Sequence, residues 1–452
     1  MIHRRALLLS SLFIPVGARA AAAAGAAPAP PAIGGAFEAL VAMPPGLRPL
    51  DEDTSDEDFW AAIGRLFPVD RALINLNNGG VHPTAAGALA ALERHQRTTQ
   101  EAPAYTLWRE LEPRKEGVRQ ALAKHAGVSP EEIAITRNTS EGLEALQLGF
   151  DLEVGDEVLT TTQDYPRMLA TFAQRERRDG IKLVRIPIPT PCDDPSAIVR
   201  RFAAGITQRT RLILVSQMVF LTGQVCPVRE ITALGRARGI PVLVDGAHGF
   251  AHTPESIADL DVDFYATSLH KWLAAPQGTG LLYVRRERIP DVWPLMAAAE
   301  AQSSDIRKFE EIGTHPAAPI LAVADALDLT RAIGAARKHA RLVHLREAWL
   351  APVLELGKGR VRCLTPRAPE LSGALATVHV DGMDPVALSG HLWQNHRIFT
   401  VAVRHGDPAR ATPSDGDTFE GLRVTPSVYT RPAELERFVD ALGHVLTHGL
   451  PA

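Results

Sequence analysis

Short apolar runs alternate with helix-like segments along residues 72–330. Each run is three to five residues long, and the segments between the runs repeat apolar residues with helical spacing. Strands that alternate with helices predict a mainly parallel sheet covered by helices on both faces. The predicted strands are 133–136, 157–160, 182–186, 212–215, 242–244 and 281–284, and the predicted helices include 140–148, 168–178 and 229–238.

The pattern changes after about residue 330. A long helix is predicted at 332–350, and strands are predicted at 374–380 and 421–425, followed by a final amphipathic helix at 433–446. This arrangement indicates a second, smaller α/β unit. The expected fold is therefore α/β, with two domains. Residues 56–330 form an N-terminal arm and a large domain, and residues 331–452 form a small C-terminal domain.

The N-terminus has the pattern of an export signal, expected at residues 1–24. A charged segment at 3–5 precedes a short apolar run at 6–16, and Ala18-Arg19-Ala20 fits a cleavage site. The paired arginines favour twin-arginine export, with a general secretory signal as the alternative. The protein is therefore expected to be periplasmic or secreted. An Ala- and Pro-rich linker is expected at 25–55.

Composition limits the classes of partner. The 452 residues carry a formal net charge of −4 with both signs mixed along the chain, which predicts no nucleic-acid or acidic-membrane partner. No segment after the export signal reads as a stable membrane anchor. The three cysteines, Cys192, Cys226 and Cys363, have spacings that predict no metal site and no disulfide framework.

Two residues suggest cofactor chemistry. Lys271 lies in Ser268–Trp272, a segment too apolar for a solvated face, and Asp245 ends the predicted strand 242–244. Partial burial lowers the pKa of a lysine and makes its amine nucleophilic. Pyridoxal 5′-phosphate (PLP) needs such an amine, together with a carboxylate beside its ring nitrogen. The pair therefore suggests PLP, although a buried Asp can also be a structural cap and a lone Lys is usually solvated.

A candidate anion site precedes this pair in the sequence. Thr139 and Ser140 open a helix directly after a predicted strand, and the free N–H groups at a helix N-terminus bind anions. Ser268 and His270, on either side of Leu269, could complete a phosphate cup. The alternative interpretation is an ordinary helix cap.

These motifs resemble a known family when they are taken in order. Asn138–Gly142, Asp245–His248 and Ser268–Lys271 resemble class V of the fold-type I PLP enzymes, which includes aminotransferases, cysteine desulfurases, kynureninases and isopenicillin N epimerase. The resemblance covers about residues 70–445. Leu269–Gly278, together with Phe309–Thr314, is most similar to the isopenicillin N epimerase-like branch.

The resemblance implies a role for each matching residue. Lys271 would carry the cofactor and Asp245 would pair with its ring nitrogen. The resemblance also implies four residues around the ring: Ala247 under it, His248 near the phenolic oxygen, Gln217 near that oxygen or the substrate, and Tyr165 stacked on the ring as a further catalytic residue. It places Thr139, Ser140, Ser268 and His270 at the phosphate.

The resemblance also implies how the substrate and a second subunit are engaged. Arg423 would hold the substrate α-carboxylate through a planar two-bond contact, with Arg404 as a second candidate. An arginine in a strand can equally be a surface ion-pair partner. Asn78 and Gly79 would line the substrate mouth. Thr314 would reach the phosphate in the other subunit, which implies a homodimer with shared active sites.

The implied function is a PLP-dependent enzyme that acts on an amino acid or an amino-acid-derived metabolite. It would form an external aldimine and remove the Cα proton, with an aminotransferase- or epimerase-like outcome. Cysteine desulfurases carry a nucleophilic cysteine shortly after the motif that resembles residues 404–406, and residues 407–410 contain none. A desulfurase or C–S lyase is therefore disfavoured. Phe220 also departs from the desulfurases, which have a polar residue there.

Three other functions remain as alternatives. A periplasmic enzyme could tailor a siderophore or another secondary metabolite by oxidative decarboxylation or deamination, as an exported member of this family does. A nucleotide-dependent oxidoreductase would need a glycine fingerprint after its first strand, which residues 133–142 lack. A non-catalytic binding protein on the same fold would have no need for both Lys271 and Asp245.

Overall fold

The computed structural model describes residues 54–406 and 418–450. The export signal expected at 1–24 lies outside the described residues, as does the expected linker up to residue 53. Within the described ranges, no helix combines the length and the apolar character that crossing a bilayer requires.

A seven-stranded sheet forms the large domain, in the order β2-β8-β7-β6-β5-β3-β4. Six strands run in one direction, and β8 runs antiparallel between β7 and β2. The predicted mainly parallel sheet is confirmed. The seven strands are β2 Ile133–Thr136, β3 Glu157–Thr161, β4 Lys182–Ile186, β5 Thr210–Ser216, β6 Val242–Asp245, β7 Phe264–Ser268 and β8 Gly280–Val284. Strand β1, Ile74–Asn75, precedes them in the chain and lies outside this sheet.

Helices cover both faces of this sheet, and each face has its own apolar core. Local sequence sets their ends. The Asn138 side chain accepts a hydrogen bond from the Glu141 N–H at one helix start, and Gly180 ends another helix with a φ of 73°. The helices are α1 Glu57–Gly64, α2 Ala86–Glu101, α3 Pro103–Tyr105, α4 Lys115–Ala126, α5 Thr139–Gly149, α6 Pro166–Asp179, α7 Pro195–Gly205, α8 Val228–Arg236, α9 Ile257–Leu260, α10 Ala318–Leu321, α11 Val323–Ile333, α12 Ala335–Gly357, α13 Pro385–His396 and α14 Pro432–His448.

The small domain is an antiparallel sheet in the order β12-β13-β10-β9. Helices α12 and α13 pack against its strands, and α14 packs against α12 in the same core. Trp349 of α12 and Phe438 of α14 meet edge to face in its core, with ring centroids 5.5 Å apart. The strands of this unit are β9 Val361–Cys363, β10 Ala376–Val380, β11 Ile398–Phe399, β12 Val401–His405 and β13 Phe419–Val424.

The N-terminal arm belongs physically to the small domain. Strand β1 pairs in parallel with β11, and both Ile74 and Leu76 are buried in the small-domain core. The predicted division at residue 331 separates β1 from β11. The pairing was not visible in the sequence, because it joins two-residue strands that are more than 300 residues apart. The arm then returns to the large domain, where the His82 N–H donates to the His270 carbonyl.

Candidate active site

A cavity of about 550 Å³ lies at the carboxyl edge of the large sheet, beside strand β12 of the small domain. This edge is where open α/β sheets bind their ligands. Twelve of the predicted site residues line it: Gly79, Thr139, Ser140, Tyr165, Asp245, Ala247, His248, Ser268, His270, Lys271, Arg404 and Arg423.

Lys271 lies on the loop that connects β7 to β8. Its Nζ is 3.3 Å from the Nε2 of His248. Burial lowers the pKa of Lys271 to about 8, with the nearby carboxylate of Asp245 opposing the change and the charge of Arg423 adding to it. A tenth or so of the amine is therefore neutral near pH 7, which makes it available as a nucleophile or base.

Asp245 ends β6, the strand next to β7. Its Oδ1 accepts a hydrogen bond of 2.9 Å from the Ala247 N–H. Burial raises the pKa of Asp245 to about 6, although that hydrogen bond and the charge of Lys271 both lower it. The side chain remains a carboxylate above pH 6, and it lines the cavity that holds the lysine amine.

The predicted anion site is assembled from two segments that are far apart in the sequence. The Thr139 N–H donates to the Ser268 Oγ at 2.9 Å, and the two hydroxyls are 2.7 Å apart. Thr139 and Ser140 start α5, whose N-terminus faces the cavity. The buried Nδ1 of His270 has no partner among the described residues. The hydroxyls, helix N–H groups and imidazole together suit a phosphate.

Arg423 projects from β13 and is almost fully buried. Its Nη1 donates to the Phe220 carbonyl at 2.7 Å, and its Nη2 donates to the Asn77 Oδ1 at 2.9 Å. Burial lowers the pKa of Arg423 to about 10, so that it stays charged at neutral pH. Its Nε is buried and has no partner among the described residues. The guanidinium is therefore fixed in place with donor capacity left for a carboxylate.

Arg404 also lines the cavity, but its charge is already paired. The side chain is 54% exposed, its Nε lies 3.2 Å from Glu420, and its Nη2 contacts Asp384. A carboxylate that bound here would have to compete with two acidic side chains.

Tyr165 faces the cavity across from the small domain. Its ring meets the ring of Phe220 edge to face, with centroids 5.4 Å apart, and the tyrosine is 41% exposed. The two rings form an apolar wall together with Met168, Met218 and Leu221.

Gln217 does not line this cavity. Its Oε1 accepts a hydrogen bond of 2.6 Å from the Tyr265 hydroxyl, and its Nε2 donates to the Thr253 Oγ1 at 3.2 Å. Side chains alternate around the end of β5, so that Ser216 and Met218 face the cavity and Gln217 points to the other side. The expectation that Gln217 approaches the cofactor is corrected on this point.

Two other predicted residues also lie off the cavity wall. The buried Asn78 amide donates to the Thr425 carbonyl at 2.9 Å, and the Asn78 Oδ1 accepts from Tyr429, so that it ties the arm to the small domain beside Gly79. Thr314 lies in a separate groove with Glu112 and His315. The single chain does not bring Thr314 to its own cavity.

Asp164 is a buried site residue that the sequence analysis missed. Its two oxygens accept five hydrogen bonds of 2.7–2.9 Å from Thr160, Thr161 and Ser216. The carboxylate therefore ties the ends of β3 and β5 together, directly before Tyr165. The signal was present in the sequence, because three threonines, Thr160–Thr162, come at the end of a predicted strand and Asp164 follows them after one residue.

The donors and acceptors of this cavity fit PLP. The hydroxyl cup at α5 matches the phosphate, the buried Asp245 matches a protonated ring nitrogen, and Lys271 matches the aldehyde. The buried Nδ1 of His248 is without a partner among the described residues. A Cβ on Gly79 would lie 3.1 Å from the Cε1 of that imidazole, so a glycine suits the close approach of the arm.

Comparisons with known proteins agree with this fit. The family model "Aminotransferase class-V" matches residues 91–438. Isopenicillin N epimerase from Streptomyces clavuligerus is 29% identical over 402 residues, which cover 85% of this chain and 98% of the epimerase. A probable cysteine desulfurase from Pseudomonas aeruginosa is 32% identical over 336 residues, which cover 71% of this chain and 80% of the desulfurase.

A solved structure shows the same fold. The apo cysteine desulfurase from Thermococcus onnurineus NA1 superposes with a TM-score of 0.73 at 21% identity, covering 87% of this chain and 98% of the desulfurase. The epimerase match extends over more of both chains than the desulfurase match does. The chain therefore belongs to the class V aminotransferase family of PLP-dependent enzymes, in its isopenicillin N epimerase-like branch.

Proposed function

We propose that this protein removes the Cα proton of an amino acid or an amino-acid-derived metabolite, in an epimerase- or aminotransferase-like reaction. One observation carries the proposal. The cavity holds a buried amine, Lys271, whose pKa is lowered to about 8, together with the Asp245 carboxylate and the Arg423 guanidinium. Proton transfer is efficient when the pKa of the base lies near the working pH.

The residues divide the work as follows in this proposal. PLP, when bound, stabilises negative charge at the Cα of an attached amine. Lys271 holds the cofactor and afterwards takes and returns the proton at its Nζ. Asp245 keeps the ring nitrogen protonated, because a carboxylate beside that nitrogen favours the charged form. Thr139, Ser140, Ser268 and His270 would hold the phosphate, and Tyr165 would supply an aromatic side chain at the cavity wall.

Arg423 gives the substrate its orientation. The guanidinium is held from behind by the Phe220 carbonyl and by Asn77, and this support fixes its plane. A carboxylate bound to such a fork is held by two parallel hydrogen bonds. A substrate carboxylate held there would lie in the same cavity as the Lys271 amine, with the substrate side chain beside the rings of Tyr165 and Phe220.

The cavity lacks the cysteine thiol that persulfide chemistry requires. Cys192 and Cys226 are buried, and burial raises the pKa of both thiols. None of the three cysteines lines the cavity, and residues 407–417 contain no cysteine. The desulfurases among the relatives therefore do not supply the reaction proposed for this chain.

The test begins with the purified full-length protein and PLP. The wild type should show the visible absorbance of lysine-bound PLP, and Lys271→Ala should lose it. A screen of amino acids in D₂O then separates the outcomes. Epimerisation exchanges the Cα–H for deuterium without loss of amine, whereas transamination leaves pyridoxamine phosphate. A wild type that binds no PLP refutes the proposal, and so does a chain that releases sulfide from cysteine but exchanges no Cα proton.

We also infer a homodimer with shared active sites. Thr314 lies in a groove away from the cavity of its own chain, near the exposed ring of Trp108. Thr314→Ala should weaken PLP binding about tenfold or more if the hydroxyl reaches a phosphate in the partner. Mixing Thr314→Ala subunits with Lys271→Ala subunits should restore one tight site per heterodimer. A monomer by sedimentation, or no restoration on mixing, contradicts this inference.

A periplasmic role in tailoring a siderophore or another secondary metabolite is the second candidate. The twin-arginine pattern of Arg4-Arg5 favours it, because that route exports folded proteins with their cofactor already bound. Replacing both arginines by lysine should keep the protein in the cytoplasm. Cell fractionation measures this, and an unchanged distribution contradicts the proposed route.

A further inference from the structure

A second buried lysine lies behind the active-site loop. Lys338 is in the first turn of α12, and its Nζ donates a hydrogen bond to the main-chain carbonyl of Trp272, the residue after Lys271. Burial lowers the pKa of Lys338 to about 7. Within residues 54–406 and 418–450 it forms no ion pair. Such an amine is costly to bury, and the proposed reaction does not use it directly.

The other buried cations of α12 have partners of a different kind. Arg341 forms an ion pair with Glu57, and Arg346 lies 3.0 Å from Glu347. The guanidinium of Arg337 lies over the ring of Phe59, 5.3 Å from its centroid. Lys338 instead donates to the main chain of the loop that carries Lys271.

A continuous series of contacts leads from Trp272 back to Lys271. The Trp272 ring stacks on His252, with centroids 3.6 Å apart. The His252 Nε2 accepts a hydrogen bond of 2.8 Å from the Ala374 N–H, so its Nδ1 carries the proton and donates to the His248 carbonyl at 2.8 Å. The His248 Nε2 lies 3.3 Å from the Lys271 Nζ.

The backbone around Lys271 needs such support. Ala274 has a φ of 59°, and its N–H donates to the Lys271 carbonyl at 3.0 Å. Ala251, beside His252, has a φ of 57°. Alanine in the left-handed region is strained, and it persists only where the surroundings hold it. The hydrogen bond from Lys338 joins helix α12 to this turn at the Trp272 carbonyl.

We propose that Lys338 is a positioning residue that fixes the Lys271 loop through the Trp272 carbonyl and so sets how deeply the Lys271 amine is buried. The inference rests on the proposed role of Lys271. It predicts that loss of the Lys338 donor lets the loop relax and admits water to the amine. The pKa of Lys271 should then rise toward its ordinary value.

The test measures how fast the PLP-free full chain captures PLP as the pH varies, in the wild type and in Lys338→Met. Asp245, His248 and Arg423 face the Lys271 amine, and all three stay unchanged in the variant. Capture at neutral pH should slow about tenfold for each unit by which the pKa of Lys271 rises. The two rates should converge at alkaline pH, where the amine is neutral in both proteins.

Arg337→Met is the matched control, because it removes a buried cation from the same helical turn, and that cation lies over the ring of Phe59. It should leave the pH profile of capture unchanged. If Lys338→Met does not fold, Lys338→Gln replaces it, since the shorter amide weakens the same contact and should shift the profile in the same direction by less.

Three outcomes decide the matter. A profile displaced to higher pH in the Lys338 variant alone supports the inference. An unchanged profile, or a rate lowered equally at every pH, overturns it, because the lysine would then serve only the stability of the fold. A wild type that captures no PLP overturns the proposed function as well, whereas a wild type that captures PLP normally confines any failure to Lys338.

Discussion

Asp245→Asn should stabilise the PLP-free protein while abolishing its function. The carboxyl is fully buried, and burial raises its pKa from the ordinary 3.8 to about 6. The unfolded chain therefore loses this proton at a lower pH than the folded chain does. Stability contributed by the protonated carboxyl is complete below about pH 4 and is lost as the pH rises to about 6. The difference between the two pKa values corresponds to about 3 kcal/mol.

Urea unfolding of the PLP-free wild type and variant tests this magnitude. Near pH 8 the variant should be more stable by about 3 kcal/mol, and near pH 4 the difference should shrink to about 0.5 kcal/mol. Asp261→Asn is the opposite control, because hydrogen bonds from Arg236 and Arg285 hold the pKa of Asp261 below its ordinary value. That variant should lose stability near pH 8. An Asp245→Asn protein that is no more stable than the wild type near pH 8 would refute the reasoning.

Three further substitutions, the first with a matched control, test the site and its support. Arg423→Lys loses one of two charge-assisted hydrogen bonds, so the preference for L-alanine over L-alaninamide in spectral titrations of the PLP-loaded enzyme should fall about 10- to 150-fold. Arg404→Lys should change this preference by less than about twofold. Equal effects of the two substitutions would contradict the assignment of Arg423 to the substrate carboxylate. Asp164→Ala leaves five buried donors without their acceptor, and thermal unfolding should show a loss of about 3 kcal/mol or more. Gly246→Ala places a Cβ 2.0 Å from the Tyr265 ring and should cost at least about 1–3 kcal/mol by urea unfolding; an unchanged midpoint would show that the ring can move.

The fold was predictable where the signal is local. Most long strands of the large sheet carry a buried apolar run, and some helices between the strands begin at a capping side chain, as at Asn138 and Asp194. The direction of β8 was not predictable from such runs, because a strand has the same apolar pattern in either direction. The pairing of β1 with β11 was also hidden, since strands of two residues leave no periodicity to detect.

The candidate site was likewise predictable where its residues carry a local sequence signal. Asp245 is the last residue of β6, and Thr139 and Lys271 each lie three residues after the end of a strand. A motif at a strand end therefore places each of them at one edge of the sheet. Gln217 was misplaced because a shift of one residue along a strand reverses the face that a side chain occupies. The support of Arg423 by Asn77 could not be deduced, because it depends on how the arm meets the small domain.

The antiparallel strand β8 explains how Lys271 comes to lie in the cavity at the carboxyl edge of the sheet. Strand pairing places Asp245 beside Ala266, and Ser268 pairs with Gly280, so the segment between β7 and β8 must reverse direction at the carboxyl edge. A parallel β8 would need a crossover, usually a helix, and a helix N-terminus disfavours a cation. The reversal instead places Lys271 on a turn held by backbone hydrogen bonds. Its amine is then desolvated by packing alone, and the neighbouring strand supplies the carboxylate.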